Sequence, residues 1–323
     1  MLPVLLTIDT EYSSGLYARG IRDRATNFAA TIACTGDRGE AGIFDQMRVF
    51  AEHELKAVFF VDPLPALVWG QSAIDDVVGP IVAAGHEVQL HLHTEWLEFA
   101  SDSPVGGSTG QHLKDFSRAE QAVLIDYGIA RLVAAGAPRP TAFRAGNYGA
   151  NDDTLRALAD CGIAWDSSFA PGFAGSDCAI PLPAGACAPV LRHGVAELPA
   201  AAIAGPRGGW RHGQITALSL AELQAATRHA AAADWPALVL VSHSFELFDR
   251  ACGRPNAVVK RRFEAFCAWL GASGIARTAG FADLALPRPN PCALPLLPHA
   301  AHRTVARMAE QFVANRLAKG LGA

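Results

Sequence analysis

The amino-acid sequence predicts an α/β fold in which parallel strands alternate with helices, as a sheet or as a barrel. Two observations predict it: short apolar runs recur along the chain, and amphipathic stretches of helical period lie between them. With 323 residues, of which 50% are hydrophobic and 18% charged, the chain is long enough to bury a substantial core. We therefore expect one large α/β domain.

Six apolar runs flanked by glycine, proline and polar residues are typical of buried parallel strands. They cover residues 3–9, 56–63, 86–93, 141–145, 162–166 and 237–243. The amphipathic stretches predict helices at residues 43–55, 73–84, 119–135, 152–160, 220–233 and 257–271. This alternation indicates an α/β sheet or barrel.

Two segments, residues 12–42 and 171–195, show no regular pattern, and loops of that length usually act as lids or binding loops. After residue 285 a proline-rich linker precedes a basic amphipathic helix, at about residues 302–319. The sequence thus predicts a main domain at residues 1–286, and a linker with a C-terminal helix at residues 287–323. This helix either packs on the domain or a partner subunit, or makes peripheral contact with a membrane.

Composition excludes several classes of partner and site. The net charge of −4 provides no global attraction to nucleic acid, so we expect no nucleic-acid partner. The first strand lacks the features of a secretory signal, and no apolar run reaches the roughly 18 residues of a membrane helix. The seven cysteines form no CxxC pair, which argues against a disulfide framework and a cysteine zinc site. A cytoplasmic location with free thiols is predicted.

Polar residues with catalytic side chains stand at the C-terminal ends of the predicted strands. In α/β barrels this rim carries the reactive residues, because side chains there are both rigidly placed and exposed. The residues are Asp9, Glu11, His91, His93, Arg144, Asp166 and His243. We expect them to form one site.

A divalent metal site is predicted at the ends of the first and third strands. Asp9 and Glu11 share a strand face, so one can bind a metal while the other acts as a base. His91 and His93 also share a face, and Glu95 follows them. Imidazole together with carboxylate suits zinc, cobalt, iron or nickel.

Proton transfer is the predicted task of the other rim residues. Arg144 keeps its proton and can hold a neighbouring carboxylate base ionised, although an ordinary salt bridge is the alternative. Asp166 and His243 end two further strands. A carboxylate paired with a histidine raises the pKa of that histidine and orients it as a general acid.

Read in order, these segments resemble the motifs of the NodB-homology domain of polysaccharide deacetylases, carbohydrate esterase family 4. The resemblance covers residues 5–285 and rests on LTIDTE, KAVFFVDP, GHEVQLHLHTEW, FRAGNYG, DSSF and LVSH. The HLHTEW segment is similar to the HLHPEW of the subgroup named after WalW, which is associated with lipopolysaccharide biosynthesis.

The resemblance implies a distorted (β/α) barrel and a hydrolase that removes an N-acetyl or similar acyl group from an amino-sugar, in a glycan or a cell-surface polysaccharide precursor. It implies a divalent metal, zinc first among the candidates. Asp9 would be the general base, oriented by Arg144. His243, tethered by Asp166, would protonate the leaving amine.

Substrate contacts are expected from Tyr148, near the oxyanion, and from Trp96, whose ring could stack on a sugar. Trp165 and Trp210 offer further aromatic surface, with a core role the alternative for Trp165. A structural role is expected for Glu197, in a segment similar to a strand that the family places near its site.

Two positions depart from the family pattern. Thr10 stands where the family has a second, metal-binding aspartate, and Glu11 could replace it. Glu95 stands where the family has its second metal histidine, so either Glu95 or His93 is the remaining ligand. Because of these changes two other functions stay open: a small or cyclic amide hydrolase on the same fold, and a catalytically silent carbohydrate-binding protein.

Overall fold

A nine-stranded sheet forms the centre of the computed structural model, which describes residues 1–175, 177–183, 185–287 and 294–320. The strands are β1 (Leu2–Thr10), β2 (Val58–Val61), β3 (Glu87–Leu92), β4 (Ala142–Ala145), β5 (Trp165–Asp166), β6 (Val190–Arg192), β7 (Val195–Glu197), β8 (Leu238–His243) and β9 (Ala276–Thr278). Their order is β8-β1-β2-β3-β4-β5-β7-β6, and β9 pairs with the start of β1. All pairs are parallel except β6 with β7.

The sheet curls into a distorted barrel, as the sequence predicts. Irregular backbone after β7 crosses back to β8, where the Ala201 N–H donates to the Val239 carbonyl at 2.9 Å. The Ile215 N–H likewise donates to the Val241 carbonyl at 3.0 Å. Backbone hydrogen bonds outside regular strands therefore link the two sides of the curl, which is the distortion of the barrel.

Ten α-helices lie within the described residues. They are α1 (Ser14–Ala18), α2 (Arg24–Thr31), α3 (Ile43–Glu52), α4 (Ala66–Trp69), α5 (Ser72–Ala83), α6 (Arg118–Ala134), α7 (Asp152–Asp160), α8 (Leu220–Ala232), α9 (Ala257–Ala272) and α10 (Ala301–Gly320). Capping boxes explain where two of them begin: Ser117 with Glu120 at α6, and Ser219 with Glu222 at α8. All six helices expected between the strands are present.

The segment at residues 12–42 is more regular than expected. It contains α1, α2 and a two-stranded ribbon of Thr35–Gly36 with Gly39–Glu40. Side chains cap both helices: Ser13 accepts from the Leu16 N–H at 3.1 Å, and Asp23 accepts from the Thr26 N–H at 2.8 Å. The expectation of a long irregular loop is therefore wrong here, because local caps support helices too short to show a clear period.

Alternation along β1 sets the floor of the site. Val4, Leu6 and Ile8 face the outer core beneath the helices, while Leu5 faces an inner core. The other inner-core residues are Val58, Phe60, Ala142, Trp165, Ala196, Leu198, Ala237, Val239 and Phe281. Thr7 and Asp9 continue the inner face of β1 beyond Leu5, because side chains two residues apart share a face. The barrel is thus apolar below and polar at its C-terminal rim.

The C-terminal segment packs partly on the barrel. The Ala204 N–H donates to the Leu297 carbonyl at 3.0 Å, and Leu297 is buried. Arg262 of α9 pairs with Glu310 of α10 at 2.9 Å. No described helix is long and apolar enough to cross a membrane. Six described cysteines are unpaired, and residues 288–293 of the proline-rich linker, with Cys292, lie outside the described residues.

Candidate active site

A cavity of about 400 Å³ opens at the C-terminal ends of the barrel strands. Its volume is within the usual range of small-molecule sites. It is lined by Asp9, Glu11, His91, His93, Gln111, His112, Ala145, Asn147, Tyr148, Phe173, Asp177, Gln214 and His243. Strands β1, β3 and β8, with the residues that directly follow them, therefore bring five of the seven expected rim residues to one place, whereas Arg144 and Asp166 do not line the cavity.

Glu11, His91 and His93 form a cluster whose ligand atoms all lie within 4.8 Å of one another. The Nε2 atom of His91 is 3.4 Å from Oε2 of Glu11, and Nε2 of His93 contacts the same oxygen. The cluster follows from the strand pattern, because both histidines lie on one side of the chain at the end of β3 and Glu11 follows β1. It confirms the expected convergence of these three residues.

The other ring nitrogen of each histidine is held from behind. Nδ1 of His91 lies 2.7 Å from the Arg144 carbonyl, which can only accept, so this nitrogen is the donor. Nδ1 of His93 lies 3.2 Å from Oε2 of Glu95. Both Nε2 atoms are thereby directed at Glu11. Glu95 buttresses His93 instead of joining the cluster, so of the two alternative ligands the structure favours His93.

These residues fit a divalent cation. Oε2 of Glu11 is buried, and the Nε2 atoms of His91 and His93 both approach it. Burial opposes ionisation of Glu11, but His93 and His91 outweigh it and hold the pKa of Glu11 well below its usual range. Two imidazoles and one carboxylate are a donor set that zinc accepts, with positions left for water and substrate. A bound cation would take the place of the proton that His93 otherwise shares with Glu11.

Asp9 is held by Arg144. Nη1 of Arg144 donates to Oδ1 of Asp9 at 2.6 Å and to the Thr7 hydroxyl at 3.0 Å. Its Nε and Nη2 atoms donate to the carbonyl and hydroxyl of Ser167, each at 3.2 Å. Burial raises the pKa of Asp9, but Arg144, then His91 and His243, outweigh it and leave that pKa lowered. The expected pairing of Asp9 with Arg144 is confirmed.

His243 pairs with Glu246 and not with Asp166, which corrects the expected tether. Nδ1 of His243 lies 2.6 Å from Oε1 of Glu246, and its Nε2 lies 3.9 Å from Oδ2 of Asp9. Asp166 is engaged elsewhere, because the Ser168 hydroxyl donates to it at 2.6 Å. The turn after β8 brings the Glu246 carboxyl group to Nδ1 of His243. No periodic pattern in the sequence indicates that turn.

Asp166 stands beside Glu197, its register partner across β5 and β7. Both side chains are fully buried. Burial and the nearby Asp166 hold the pKa of Glu197 well above its usual range. Ser168 links this pair to the site, because its hydroxyl also accepts from the Ala145 N–H at 2.9 Å. The structural role expected for Glu197 matches its place here.

Tyr148 lies in the cavity wall on a tight turn. Its hydroxyl is 2.8 Å from Nε2 of His212, and its ring stacks on Phe173 with centroids 5.0 Å apart. Asn147 and Tyr148 both have positive φ, at 52° and 57°, which is rare for residues other than glycine and recurs at functional sites. Asn147 donates to Glu95 at 3.0 Å and so ties this turn to the cluster.

Trp96 does not contact the cavity, and its expected role in substrate binding is wrong. Its side chain is fully buried, with ring centroids 5.1 Å from Trp69 and 5.8 Å from Tyr17. The 3-10 turn Thr94–Phe99 after β3 rotates it into this aromatic cluster. Trp165 belongs to the inner core, and Trp210 is 37% exposed but is not among the described lining residues.

Sequence reasoning missed several residues of the site. Glu246 was detectable in principle, since it follows His243 by three residues in the same turn. His212, on the ribbon of Ala202–Ala204 with Trp210–His212, gave no such signal. Gln111, His112 and Asp177 come from loops whose course only the structure shows.

No protein family profile matches the sequence, and no curated protein is significantly similar to it. Solved structures do match. A protein from Mycobacterium smegmatis proposed to be a polysaccharide deacetylase is 19% identical, with a TM-score of 0.53 over 90% of this chain and 94% of that one. A 4-α-glucanotransferase from Thermococcus litoralis is 13% identical, with a TM-score of 0.51 over 87% of this chain and 40% of that one.

A family 4 carbohydrate esterase from Streptomyces lividans, in complex with acetate, matches with a TM-score of 0.44 at 12% identity, over 90% of this chain and 98% of that one. The likeness to the M. smegmatis protein, at 19% identity, establishes the fold and leaves the chemistry to the site itself. The chain thus shares the fold of the M. smegmatis protein, and its curled parallel sheet agrees with the distorted barrel expected from its motifs.

Proposed function

We propose that this protein is a metal-dependent carbohydrate N-deacetylase, which removes an acetyl or similar acyl group from an amino-sugar in a glycan or a cell-surface polysaccharide precursor. One observation carries the proposal. A single cavity holds a Glu-His-His cluster, a carboxylate fixed by an arginine, and a histidine fixed by a carboxylate. Hydrolysis of an unactivated amide needs these three functions: an electrophile, a base and an acid.

Glu11, His91 and His93 would hold the metal, with zinc first and cobalt, nickel or iron as alternatives. When bound, the ion supplies Lewis-acid polarisation of the amide carbonyl. Glu95 would orient His93, and the Arg144 carbonyl orients His91. Such supporting contacts commonly fix the tautomer and direction of a metal-bound imidazole.

Asp9 would remove a proton from the attacking water as the C–O bond forms. Its lowered pKa makes it a modest base, so its contribution comes mainly from being held in place by Arg144. His243, whose Nε2 lies 3.9 Å from Oδ2 of Asp9, would give its proton to the nitrogen as the C–N bond breaks. The products are a carboxylate and a free amine.

Tyr148 and Phe173 line the same cavity and present polar and aromatic surface. Sugars are bound by this combination, because an aromatic ring packs on the apolar face of a pyranose while polar groups bind its hydroxyls. The volume of about 400 Å³ suits one sugar unit with its acyl group.

The finer assignment to lipopolysaccharide biosynthesis is supported by the HLHTEW segment alone. A cytoplasmic location is consistent with the unpaired cysteines. Peripheral membrane contact is supported by Val305, Met308 and Phe312, which are 64%, 59% and 58% exposed along one side of α10.

The test is release of acetate from N-acetylated amino-sugars, presented as monosaccharides, nucleotide-linked sugars and short oligomers. We expect turnover on at least one class, loss of turnover after chelation, and recovery on adding zinc or cobalt. Activity that survives complete removal of metal would favour the alternative function, a small or cyclic amide hydrolase that works without a metal ion. Sugar binding without any turnover would favour the silent binding protein.

A further inference from the structure

His243 leaves β8 into a tight turn that returns a carboxyl group to its own ring. The Glu246 N–H donates to the His243 carbonyl at 3.3 Å, which closes the turn. The side chain of Glu246 then reaches Nδ1 of His243 at 2.6 Å. Since Nδ1 is occupied by this contact, Nε2 is the nitrogen that faces Asp9 and the cavity.

Glu246 is itself fixed by three further donors. Oε1 also accepts from the Gln214 side-chain amide, and Oε2 accepts from the hydroxyls of Thr216 and Ser242, each at 3.3 Å. Its side chain is only 5% exposed. Gln214 and Thr216 belong to the irregular backbone that runs alongside β8. The carboxyl group of Glu246 is therefore held in one position in the barrel wall, unlike the carboxyl group of an exposed side chain.

Asp166 makes a different set of contacts. It is paired with Glu197 and accepts from the Ser168 hydroxyl. The following residue, Ser167, holds the guanidinium of Arg144 through two hydrogen bonds. The segment that contains Asp166 thus supports the Asp9–Arg144 side of the cavity, while Glu246 supports the His243 side.

We infer that Glu246 is the positioning residue of the proton donor: it orients the His243 ring through Nδ1 and favours the imidazolium form, while Asp166 braces the segment that holds Arg144. The part of this inference that concerns catalysis rests on the proposed function, in which His243 protonates the leaving amine. The pairing itself does not.

The charges around His243 support the assignment. Burial lowers the pKa of His243, but Glu246 outweighs it, and Asp9 and Glu11 add to the effect, so the pKa is raised to about 9. Of the other groups facing it, His212 is neutral at pH 7, because burial lowers its pKa to about 3. Of these titratable groups among the described residues, namely Glu246, Asp9, Glu11 and His212, only Glu246 lies within hydrogen-bond distance of the His243 ring.

Glu246→Gln separates orientation from charge. The amide oxygen can still accept from Nδ1, but the negative charge is lost. In zinc-loaded protein with ¹⁵N-labelled histidine, we expect the His243 ring to titrate about one to three pH units lower in this variant. His243→Gln assigns the resonance among the 11 histidines. Glu246→Asp keeps the charge and should recover part of the shift, which guards against a general disturbance of the turn.

Asp166→Asn is the matched comparison, because it removes the carboxylate that motif order assigns to His243. We expect it to leave the His243 titration within a few tenths of a unit of wild type. A large shift in Asp166→Asn with none in Glu246→Gln would overturn the inference. So would an unchanged His243 titration in Glu246→Gln.

The kinetic arm uses whichever acetylated sugar the wild type hydrolyses. In Glu246→Gln the alkaline limb of kcat/KM should move to lower pH by the same amount as the titration, with KM little changed. An unmoved limb would overturn the catalytic part of the inference. If the wild type hydrolyses no acetylated sugar, the proposed function fails, and the titration still decides the pairing of His243 with Glu246.

Discussion

Nη1 of Arg144 lies 2.6 Å from Oδ1 of Asp9, and their side chains are 0% and 4% exposed. The guanidinium also lies over the Phe60 ring, at 4.3 Å from its centroid, so it separates the apolar floor of the barrel from the cavity. A buried charge of this kind persists only where partners surround it, and Thr7 and Ser167 complete that set. Position and charge of the proposed base therefore depend on one arginine.

Replacement of Arg144 by lysine should reduce activity strongly, although the substitution retains the positive charge. A lysine ammonium cannot bind Asp9, Thr7 and Ser167 in one plane, so Asp9 loses its fixed orientation. We expect kcat to fall by at least about 10², the lower end of a positioned base's contribution, and to fall by about 10² to 10⁴ in Asp9→Asn. Steady-state rates of acetate release measure both.

Folding controls this comparison. Arg144→Ala leaves Asp9 buried without a partner and should lower the free energy of unfolding by about 3–5 kcal/mol, whereas Asp9→Asn keeps a hydrogen-bond acceptor for Arg144 and should cost less. Urea denaturation separates the two. Full activity of Asp9→Asn on every accepted substrate would remove Asp9 from the mechanism.

Metal binding should depend on His91 and His93 outright, and on Glu95 only in degree. His91→Ala removes a member of the cluster, so purified protein that carries about one zinc per chain should lose it. Glu95→Gln keeps a side chain that can accept from Nδ1 of His93 but removes its charge, and should weaken zinc affinity by about 10- to 100-fold.

Elemental analysis and competition with a fluorescent chelator measure these two effects. Gln111→Ala, on the cavity wall outside the cluster, is the control and should keep its metal. Loss of zinc from Glu95→Gln as complete as from His91→Ala would show that Glu95 is a ligand after all.

The rim was predictable because it depends on periodicity. Asp9, His91 and Arg144 end strands whose apolar runs are visible in the sequence, and parallel strands present their C-terminal ends at one edge. The partner of His243 was not predictable in this way. Whether Asp166 or Glu246 reaches the ring depends on the turn after β8 and on the pairing of β5 with β7, and neither leaves a periodic signal.

Trp96 shows the same limit on a smaller scale. The run HEVQLHLH predicts a strand to residue 93, but β3 ends at Leu92 and a 3-10 turn begins at Thr94. One turn of different pitch is enough to move Trp96 from the expected cavity wall into the aromatic core. An aromatic side chain at this position fits a sugar contact and a buried core position equally well. The sequence alone therefore does not distinguish the two interpretations.

The Asp166–Glu197 pair should make stability fall as pH rises. The pKa of Glu197 is raised in the folded protein, so the folded state keeps a proton that the unfolded chain releases above about pH 4.3. The free energy of unfolding should therefore decrease with rising pH between that value and the folded pKa, by up to about 1.4 kcal/mol per pH unit. Glu197→Gln keeps a donor for Asp166 and should lose the part of this dependence that Glu197 contributes, while the buried Asp166, whose pKa is also raised, remains.

Urea denaturation of both proteins at pH 5 and pH 8 tests this, and Glu197→Gln should gain stability relative to wild type as the pH rises. Glu222→Gln is the control of opposite sign, because Arg211 holds the pKa of Glu222 below its usual range despite burial. The difference in the free energy of unfolding between wild type and Glu222→Gln should stay nearly constant from pH 5 to pH 8. Parallel pH profiles for wild type and Glu197→Gln would mean that Glu197 carries no extra proton.

Gly146 allows the turn that holds Tyr148 to approach the Glu11–His91–His93 cluster. A Cβ atom at this position would lie 2.6 Å from the Leu92 carbonyl oxygen and 2.9 Å from the His93 ring, so Gly146→Ala must displace either the backbone at Leu92 or the His93 side chain. The shift would also disturb the hydrogen bond from Asn147 to Glu95, which braces His93. We expect weaker zinc binding and a fall in kcat of about 10-fold or more, since displacements of about 1 Å can cost 10²-fold in rate.

Gly107→Ala provides the matched control, because a Cβ atom there meets nothing within 4 Å. It should leave zinc affinity and turnover at wild-type levels. Gly146→Ala should remain folded by circular dichroism, since the collision lies at the rim and not in the inner core. If Gly146→Ala binds zinc and turns over as well as Gly107→Ala does, the close approach of this turn to His93 has no part in the site. The support of His93 would then rest on Glu95 without help from Asn147.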